Sequence, residues 1–387
     1  MSFNMLPLIT DNQQLAAYCA AAAKRSILAV DTEFIRQSTL QPKLGLVQLF
    51  DGEALALVDP LQISDWQPLQ QLLALPGVTK LLHACSEDLD AFATIGIKVI
   101  NPIFDSQMAA ELLGWGNSMG YARLVEQLLE EQLDKSESRT DWLARPLAET
   151  QLQYAANDVR FLYQLYPKLL SAFTKPELVQ LLLAEGQQLL QRKLQPLLAE
   201  FKYLDIKNSW QLSARELAVL RELTCWRLQY AEQKDLALGL IIKDMQLLEL
   251  AKRRPASAES LLNIPGMAMR DIRRHAKTLV ELIAHAKALP QEQCPQPFYH
   301  IAAFAGEKVE LAKLVEAVKA AAAEHGIAAS FMSTKRLMHE YFNWCWRVSD
   351  TERPLLPIPE YLQGWRKQLL LPHLPVPEHV SMLVNQL

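Results

Sequence analysis

The chain has 387 residues, half of them apolar, and a net charge of −4. That length calls for two or three cores rather than one, and no apolar run approaches the roughly 20 residues that a membrane-spanning helix needs. The five cysteines are scattered, odd in number and form no Cys-x-x-Cys pair, which argues against zinc and against a disulfide framework and predicts reduced thiols.

The charge is unevenly shared. Residues 1–200 carry a net −8, residues 201–290 a net +5 and residues 291–387 a net −1. An acidic unit followed by a basic one is expected if the first binds cations and the second holds a polyanion. An ordinary solvated surface is the competing reading of the basic segment. Residues 1–12 lack a basic segment followed by an apolar core, so no secretory signal is expected, and the location expected is cytoplasmic.

Residues 1–170 alternate strand and helix signals. Helices are predicted over 11–23, 65–75, 86–95, 106–113 and 121–130. Apolar runs at 27–30, 44–50, 54–58 and 78–82 predict strands, with Asp51-Gly52 as a hairpin turn. This alternation predicts an α/β sandwich. One long helix over 175–201 is then expected to lead out of the domain. Residues 209–288 read as helices only, with Ser213 as a possible N-cap and Asn263-Ile264-Pro265-Gly266 as a break. Residues 289–298 contain Pro290, Pro295 and Pro297 and predict a linker. Further helices are predicted over 308–324, 334–346 and 359–371.

Four carboxylates and a tyrosine stand out against this background. Asp31 and Glu33 end the first apolar run. Residues two apart in a strand share a face, so both carboxylates project together. Tyr154 and Asp158 are four apart in a helical stretch and share one helix face. Asp88 opens a helix just after a strand. Four acids brought together would repel one another unless cations bind between them, and hard oxygen ligands suit Mg²⁺ or Mn²⁺. Asp31 follows four apolar residues and precedes Phe34, an awkward place for an unpaired charge. No GxxxxGK[ST] occurs, and no GxGxxG follows a predicted strand, which removes nucleotide-binding folds built on those loops.

Three segments carry a resemblance: Asp31-Thr32-Glu33-Phe34, His83-x3-Glu87-Asp88-Leu89 and Tyr154-x3-Asp158. They resemble the three motifs of the DEDD exonuclease superfamily, in its tyrosine branch. Flanking segments are similar to the bacterial ribonuclease D family: Pro42-x-Leu44-x-Leu46-Val47-Gln48-Leu49, Phe104-Asp105-Ser106-Gln107, and Asp141-Trp142-Leu143-x-Arg145-Pro146-Leu147. Leu220-Arg221-x-Leu223-x2-Trp226-Arg227 and Leu262-x2-Pro265-Gly266 resemble an HRDC nucleic-acid-binding domain. Asn343-Trp344-x-Trp346 resembles a second, more divergent copy. Cys85 and Ser106 depart from the glycine and threonine expected of the family, and Leu238-Gly239-Leu240 stands where relatives often carry a proline.

The resemblance implies a multidomain α/β plus all-α chain. An RNase H-like 3′–5′ exonuclease domain over 1–200 would precede helical HRDC-type domains over 207–290 and 295–387. It implies two divalent metal ions, Mg²⁺ or Mn²⁺, and no organic cofactor. Asp31 would bridge both ions, Glu33 and Asp158 would complete the first, and Asp88 would hold the second through water. Tyr154 would orient the attacking water. The implied partner is RNA, chiefly tRNA precursors with 3′ extensions, trimmed to nucleoside 5′-monophosphates; no membrane is implied. A DNA exonuclease with the same site, and an inactive RNA-binding scaffold, are the rivals.

Softer candidates remain open between function and structure. His83 reads as a substrate contact or a satisfied structural histidine. Phe34 could stack on a terminal base or be core, and Gln48 could reach substrate or bond within the sheet. Arg270, Arg273, Arg274 and Lys277 recur at helical spacing and could track phosphates or form a solvated face. Trp226, Trp344 and Trp346 read as core anchors.

Overall fold

The structure, a computed structural model, describes residues 4–5, 7–134, 136–297, 307–346, 348 and 350–387. Its N-terminal part contains the strands β1 (Asn4–Met5), β2 (Ile27–Ile35), β3 (Lys43–Phe50), β4 (Ala54–Val58), β5 (Thr79–Leu82) and β6 (Ile103–Asp105). They form one mixed sheet in the order β1-β4-β3-β2-β5-β6. The β2–β3 and β3–β4 pairs are antiparallel; β5 runs parallel to both β2 and β6. Asp51 and Gly52 close the β3–β4 hairpin. Asp51 Oδ1 accepts from Glu53 N at 2.9 Å and Ala54 N at 2.7 Å, and Gly52 supplies the positive φ of 94°.

Helices cover both faces. One face buries α1 (Asn12–Ala22), α2 (Gln67–Ala74) and α3 (Ser86–Thr94) over Leu28, Val30, Val47 and Leu49. The other buries α4 (Ser106–Leu112), α5 (Tyr121–Leu129) and the 24-residue α6 (Glu149–Ala172) over Ala29, Leu46, Phe50 and Leu57. Since Ala29 faces α6, Asp31 and Glu33, two and four residues further along, face it too.

The predicted exit helix is shorter than expected. α7 (Pro176–Leu194) stops before Gln195-Pro196, and a 3₁₀ turn at Ala199–Asp205 follows. Proline disfavours helical backbone at the residue before it, and Gln195 has left the helix at φ −121°, ψ 65°. Residues 201–294 then build a separate core around α8 (Ala214–Lys234), α9 (Leu238–Ile241), α10 (Asp244–Arg253) and α11 (Met269–Ala288). Ser213 caps α8: its N–H donates to Glu216 Oε2 at 2.8 Å. The predicted linker contains a 3₁₀ turn at Gln291–Gln293; its last residue, Phe298, lies outside the described residues.

The C-terminal part comprises α12 (Glu307–His325), α13 (Ala329–Met332), α14 (Lys335–Trp346), α15 (Gly364–Leu370) and α16 (Glu378–Gln386). The helix predicted over 359–371 is two pieces, a 3₁₀ turn at Glu360–Leu362 and then α15. Gln363, extended at φ −129° and ψ 152°, separates them, and Gly364 opens α15 at φ +51°. Among the described residues no helix is long and apolar enough to cross a membrane.

Candidate active site

β2 continues past the predicted end of its apolar run and carries Asp31 and Glu33 within the strand. Its register against β3 shifts between Glu33 and Phe34, a bulge that turns the strand just beyond the second carboxylate. α6 lies across this face and brings Asp158 down onto them. Carboxylate oxygens of Asp31, Glu33 and Asp158 lie within 4.8 Å of one another, the one such cluster among the described residues. They open into a cavity of about 220 Å³, lined also by Thr32, His83, Tyr121, Tyr154 and Leu162.

Asp88 is not part of that cluster. It sits in the first turn of α3, buried, and accepts a hydrogen bond from the Thr32 hydroxyl. The Asp88 charge reaches the site and is the largest charge acting on Asp31.

His83 lines the cavity. Its Nδ1 lies 2.9 Å from Ser106 Oγ, and its ring is 5.1 Å from that of Tyr121. Burial lowers its pKa below the usual histidine value, which keeps it neutral at pH 7. Two of the softer candidates are corrected. Gln48 pairs with Asp31 in register but is completely buried, and neither of its amide atoms finds a partner among the described residues; direct contact with a substrate is closed to it. Phe34 is half-buried, packs against the core on the α3 side of the sheet, and does not line the cavity.

Tyr121 and Thr32 are site residues that sequence reasoning did not single out. The Tyr121 hydroxyl donates to the main-chain carbonyl of Asp158 and so fixes the turn of α6 that delivers the carboxylate. Tyr121 has no sequence signature, because its contact joins segments 37 residues apart; Thr32 stands inside the first motif, but its partner Asp88 lies 56 residues away.

Like charges held out of water raise one another's pKa. Burial pushes Asp31 well above the carboxylate range, and the charges of Asp88, Asp158 and Glu33 add to it. Burial, then Asp158 and Asp88, takes Glu33 up to about 9. Burial takes Asp158 to about 7 against the pull of a hydrogen bond from Tyr154. Asp88 also reaches about 7 through burial, opposed by the Thr32 hydrogen bond. Burial and the same carboxylates push Tyr154 far above its ordinary value. A cluster that retains protons at neutral pH is one that a divalent cation relieves by displacing them. Its all-oxygen donor set fits Mg²⁺ or Mn²⁺ and does not fit a soft metal.

The loop that packs beside Tyr154 is braced from the sheet. Arg145 Nε and Nη2 donate to the two oxygens of Asp59 at 2.8 and 2.6 Å, and Nη2 also donates to Gly45 O at 2.7 Å. Its Nη1 donates to Trp142 O at 2.9 Å, and the Trp142 ring lies 6.1 Å from that of Tyr154. Gly45 is obligatory there, since a Cβ would come within 2.6 Å of Trp142 O.

Comparison with known proteins agrees with this arrangement. A family model described as 3′–5′ exonuclease matches residues 7–173, an HRDC domain model matches 216–283, and a ribonuclease D C-terminal HRDC domain model matches 306–374. Ribonuclease D of Shewanella sp. (strain ANA-3) is 39% identical over 95% of this chain and 93% of its own length. Ribonuclease D of Escherichia coli (strain K12) is 38% identical over 94% of this chain and 96% of its own. The crystal structure of Escherichia coli RNase D, described as an exoribonuclease involved in structured RNA processing, superposes with a TM-score of 0.87 at 36% identity, covering 100% of this chain and 99% of that one.

Proposed function

The chain belongs to the ribonuclease D family of 3′–5′ exoribonucleases, and from that premise we propose that it trims the 3′ ends of tRNA precursors and other structured RNAs, releasing nucleoside 5′-monophosphates. The observation that carries this reading is the convergence of Asp31, Glu33 and Asp158 within 4.8 Å, in a cavity shared with Tyr154. The functional units are residues 1–200 for catalysis and 207–290 and 295–387 for holding the RNA body, with cytoplasmic RNA as the substrate pool.

Asp31, Glu33, Asp158 and Asp88 would hold the divalent cations, Mg²⁺ or Mn²⁺. The Thr32 hydroxyl fixes Asp88 for that task. When bound, a pair of such ions supplies water activation, in-line alignment and stabilisation of the leaving 3′-oxygen. Tyr154 keeps its proton at neutral pH, so its hydroxyl orients the attacking water rather than acting as a base. His83, neutral and anchored on Ser106, presents its ring to the terminal nucleotide. Attack by water at phosphorus leaves the phosphate on the departing nucleotide, which is why the product is a 5′-monophosphate.

The test is digestion of a 3′-extended tRNA transcript with Mg²⁺ or Mn²⁺, beside a DNA oligomer of the same 3′ sequence. Stepwise shortening to mononucleotides, abolished by EDTA and by Asp31→Asn, is expected. Binding without cleavage under every metal would reject the reading, and equal cleavage of DNA would reject RNA as the substrate class.

A further inference from the structure

We propose that Asp105 is a positioning residue for the reaction: its carboxylate sets the turn that delivers His83 and Asp88 to the site. The inference rests on the metal-dependent nuclease reading and deepens it. Asp105 ends β6, opposite Leu82 at the end of β5, and is 1% exposed. A buried carboxylate is costly unless every lone pair is satisfied, and here four main-chain N–H groups converge on it. Oδ1 accepts from Ala84 at 3.1 Å, Gln107 at 2.8 Å and Met108 at 3.1 Å; Oδ2 accepts from Cys85 at 2.8 Å.

Two of those donors belong to the link between β5 and α3. Ala84 is held there at φ +54°, a left-handed backbone that a residue with a Cβ rarely adopts. The Asp105 carboxylate opposes that strain, because it captures the N–H groups of Ala84 and Cys85 together. Cys85 caps α3, and Asp88 follows three residues later in the first turn. The other two donors start α4, whose first residue, Ser106, contacts the His83 ring and donates to Leu82 O at 3.1 Å. One carboxylate therefore fixes the backbone on both sides of the site's edge. Asparagine cannot replace it, since an amide nitrogen in the place of Oδ2 would face the Cys85 N–H donor to donor.

The experiment uses the full chain and Asp105→Asn. Three quantities are read: the dissociation constant for Mn²⁺ alone by calorimetry, kcat and KM on 3′-extended RNA, and Tm. Loss of a group that orients a ligand-bearing element costs about 10–100-fold in metal affinity or activity. We expect weaker Mn²⁺ binding and a lower kcat in that range, with KM for RNA unchanged. Adding Ala84→Gly to Asp105→Asn should recover part of both, because glycine takes the left-handed backbone without strain. Unchanged Mn²⁺ affinity and kcat per folded molecule, with only Tm lowered, would overturn the proposal. If Asp105→Asn fails to fold, Ala84→Val disturbs the same turn with the carboxylate intact; it must weaken Mn²⁺ binding, and wild-type affinity in that variant would also overturn it. A wild type that binds Mn²⁺ yet leaves RNA intact would reject the functional reading, while the calorimetric comparison would still decide the role of Asp105.

Discussion

Tyr154 stands one helical turn from Asp158 and shares the cavity with three carboxylates, and that neighbourhood decides what its hydroxyl can do. Burial and the surrounding charge push its pKa far up, so it donates a hydrogen bond and does not accept a proton. Tyr154→Phe should lower kcat about 100-fold, the low end of the range for a positioned proton-handling group, and leave Mn²⁺ affinity unchanged; an equal loss in metal affinity would make Tyr154 part of the cation site instead. The carboxylates carry a separate prediction. A folded-state pKa raised above the unfolded value, near 4 for Asp and Glu, stabilises the fold at low pH and loses that contribution as pH rises through the folded value. Those values are about 7 for Asp88 and Asp158 and about 9 for Glu33. Metal-free protein should therefore lose Tm between pH 6 and pH 9, and Mn²⁺ should raise Tm more at pH 9 than at pH 6. A thermal scan in EDTA showing a Tm that climbs over this window would refute the assignment. At this scale the sequence shows Asp31, Glu33, Tyr154 and Asp158 as a group, because strand and helix periodicity fix which side chains share a face. It does not show that Asp88 accepts from Thr32, or that Gln48 is sealed beneath α6, since both depend on which elements lie next to which.

Elements bring these residues together only because irregular segments brace them. The loop from Asp141 to Pro146 has no regular structure, and Arg145 ties it to Asp59 and Gly45. Asp59 is 3% exposed, and the guanidinium beside it holds its carboxyl below the usual range despite burial. Arg145→Ala would leave a buried charge unpaired, at a cost of about 3 kcal/mol. It would also free Trp142 from its place beside Tyr154. Chemical denaturation should show the loss in stability, and Asp59→Asn combined with Arg145→Ala should recover part of it; no recovery would mean that the pair is not the source. The β3–β4 hairpin, the Ser213 cap and the breaks at Pro265 and Gly266 were readable in advance because each is a local signal. The end of α7 at Gln195 is equally local, set by the proline that follows it, although apolar residues run on to residue 201. The two-piece structure at 360–370 was hidden for a different reason. The buried Glu360 carboxylate in the 3₁₀ turn is held by Arg192 of α7 and Arg336 of α14, each at 2.7 Å, and periodicity carries no information about such distant partners.

Across the whole molecule, the helical parts are fastened to the catalytic part by polar contacts of two kinds. The segment between α8 and α9 grips the β2–β3 loop: Asp235 Oδ1 accepts from Leu40 N and Gln41 N, each at 3.1 Å, and Ala237 N donates to Ser38 O at 2.9 Å. That loop continues the strand bearing Asp31 and Glu33. The C-terminal part is held by a buried ionic network in which Glu185 of α7 accepts from Arg366 and, at 3.0 Å, from Trp365 Nε1. A fixed arrangement of this kind lets a basic surface far in sequence from the acidic cavity contribute to holding one substrate. Arg270, Arg273, Arg274 and Lys277 are all exposed along α11, in the segment that carries the net +5. Phosphate contacts release counterions, so affinity falls with salt by about 0.7 in log–log slope for each contact with a single strand. Arg273→Ala with Arg274→Ala should weaken binding of a 3′-extended tRNA and flatten that slope by about 1–2 units, as expected when two phosphate contacts are lost. The weakening should be smaller for an oligomer just long enough to reach the cavity, because so short a strand has no body for α11 to hold. Equal weakening for both RNAs would place this surface at the mouth of the cavity, and an unchanged slope would return it to ordinary solvated charge.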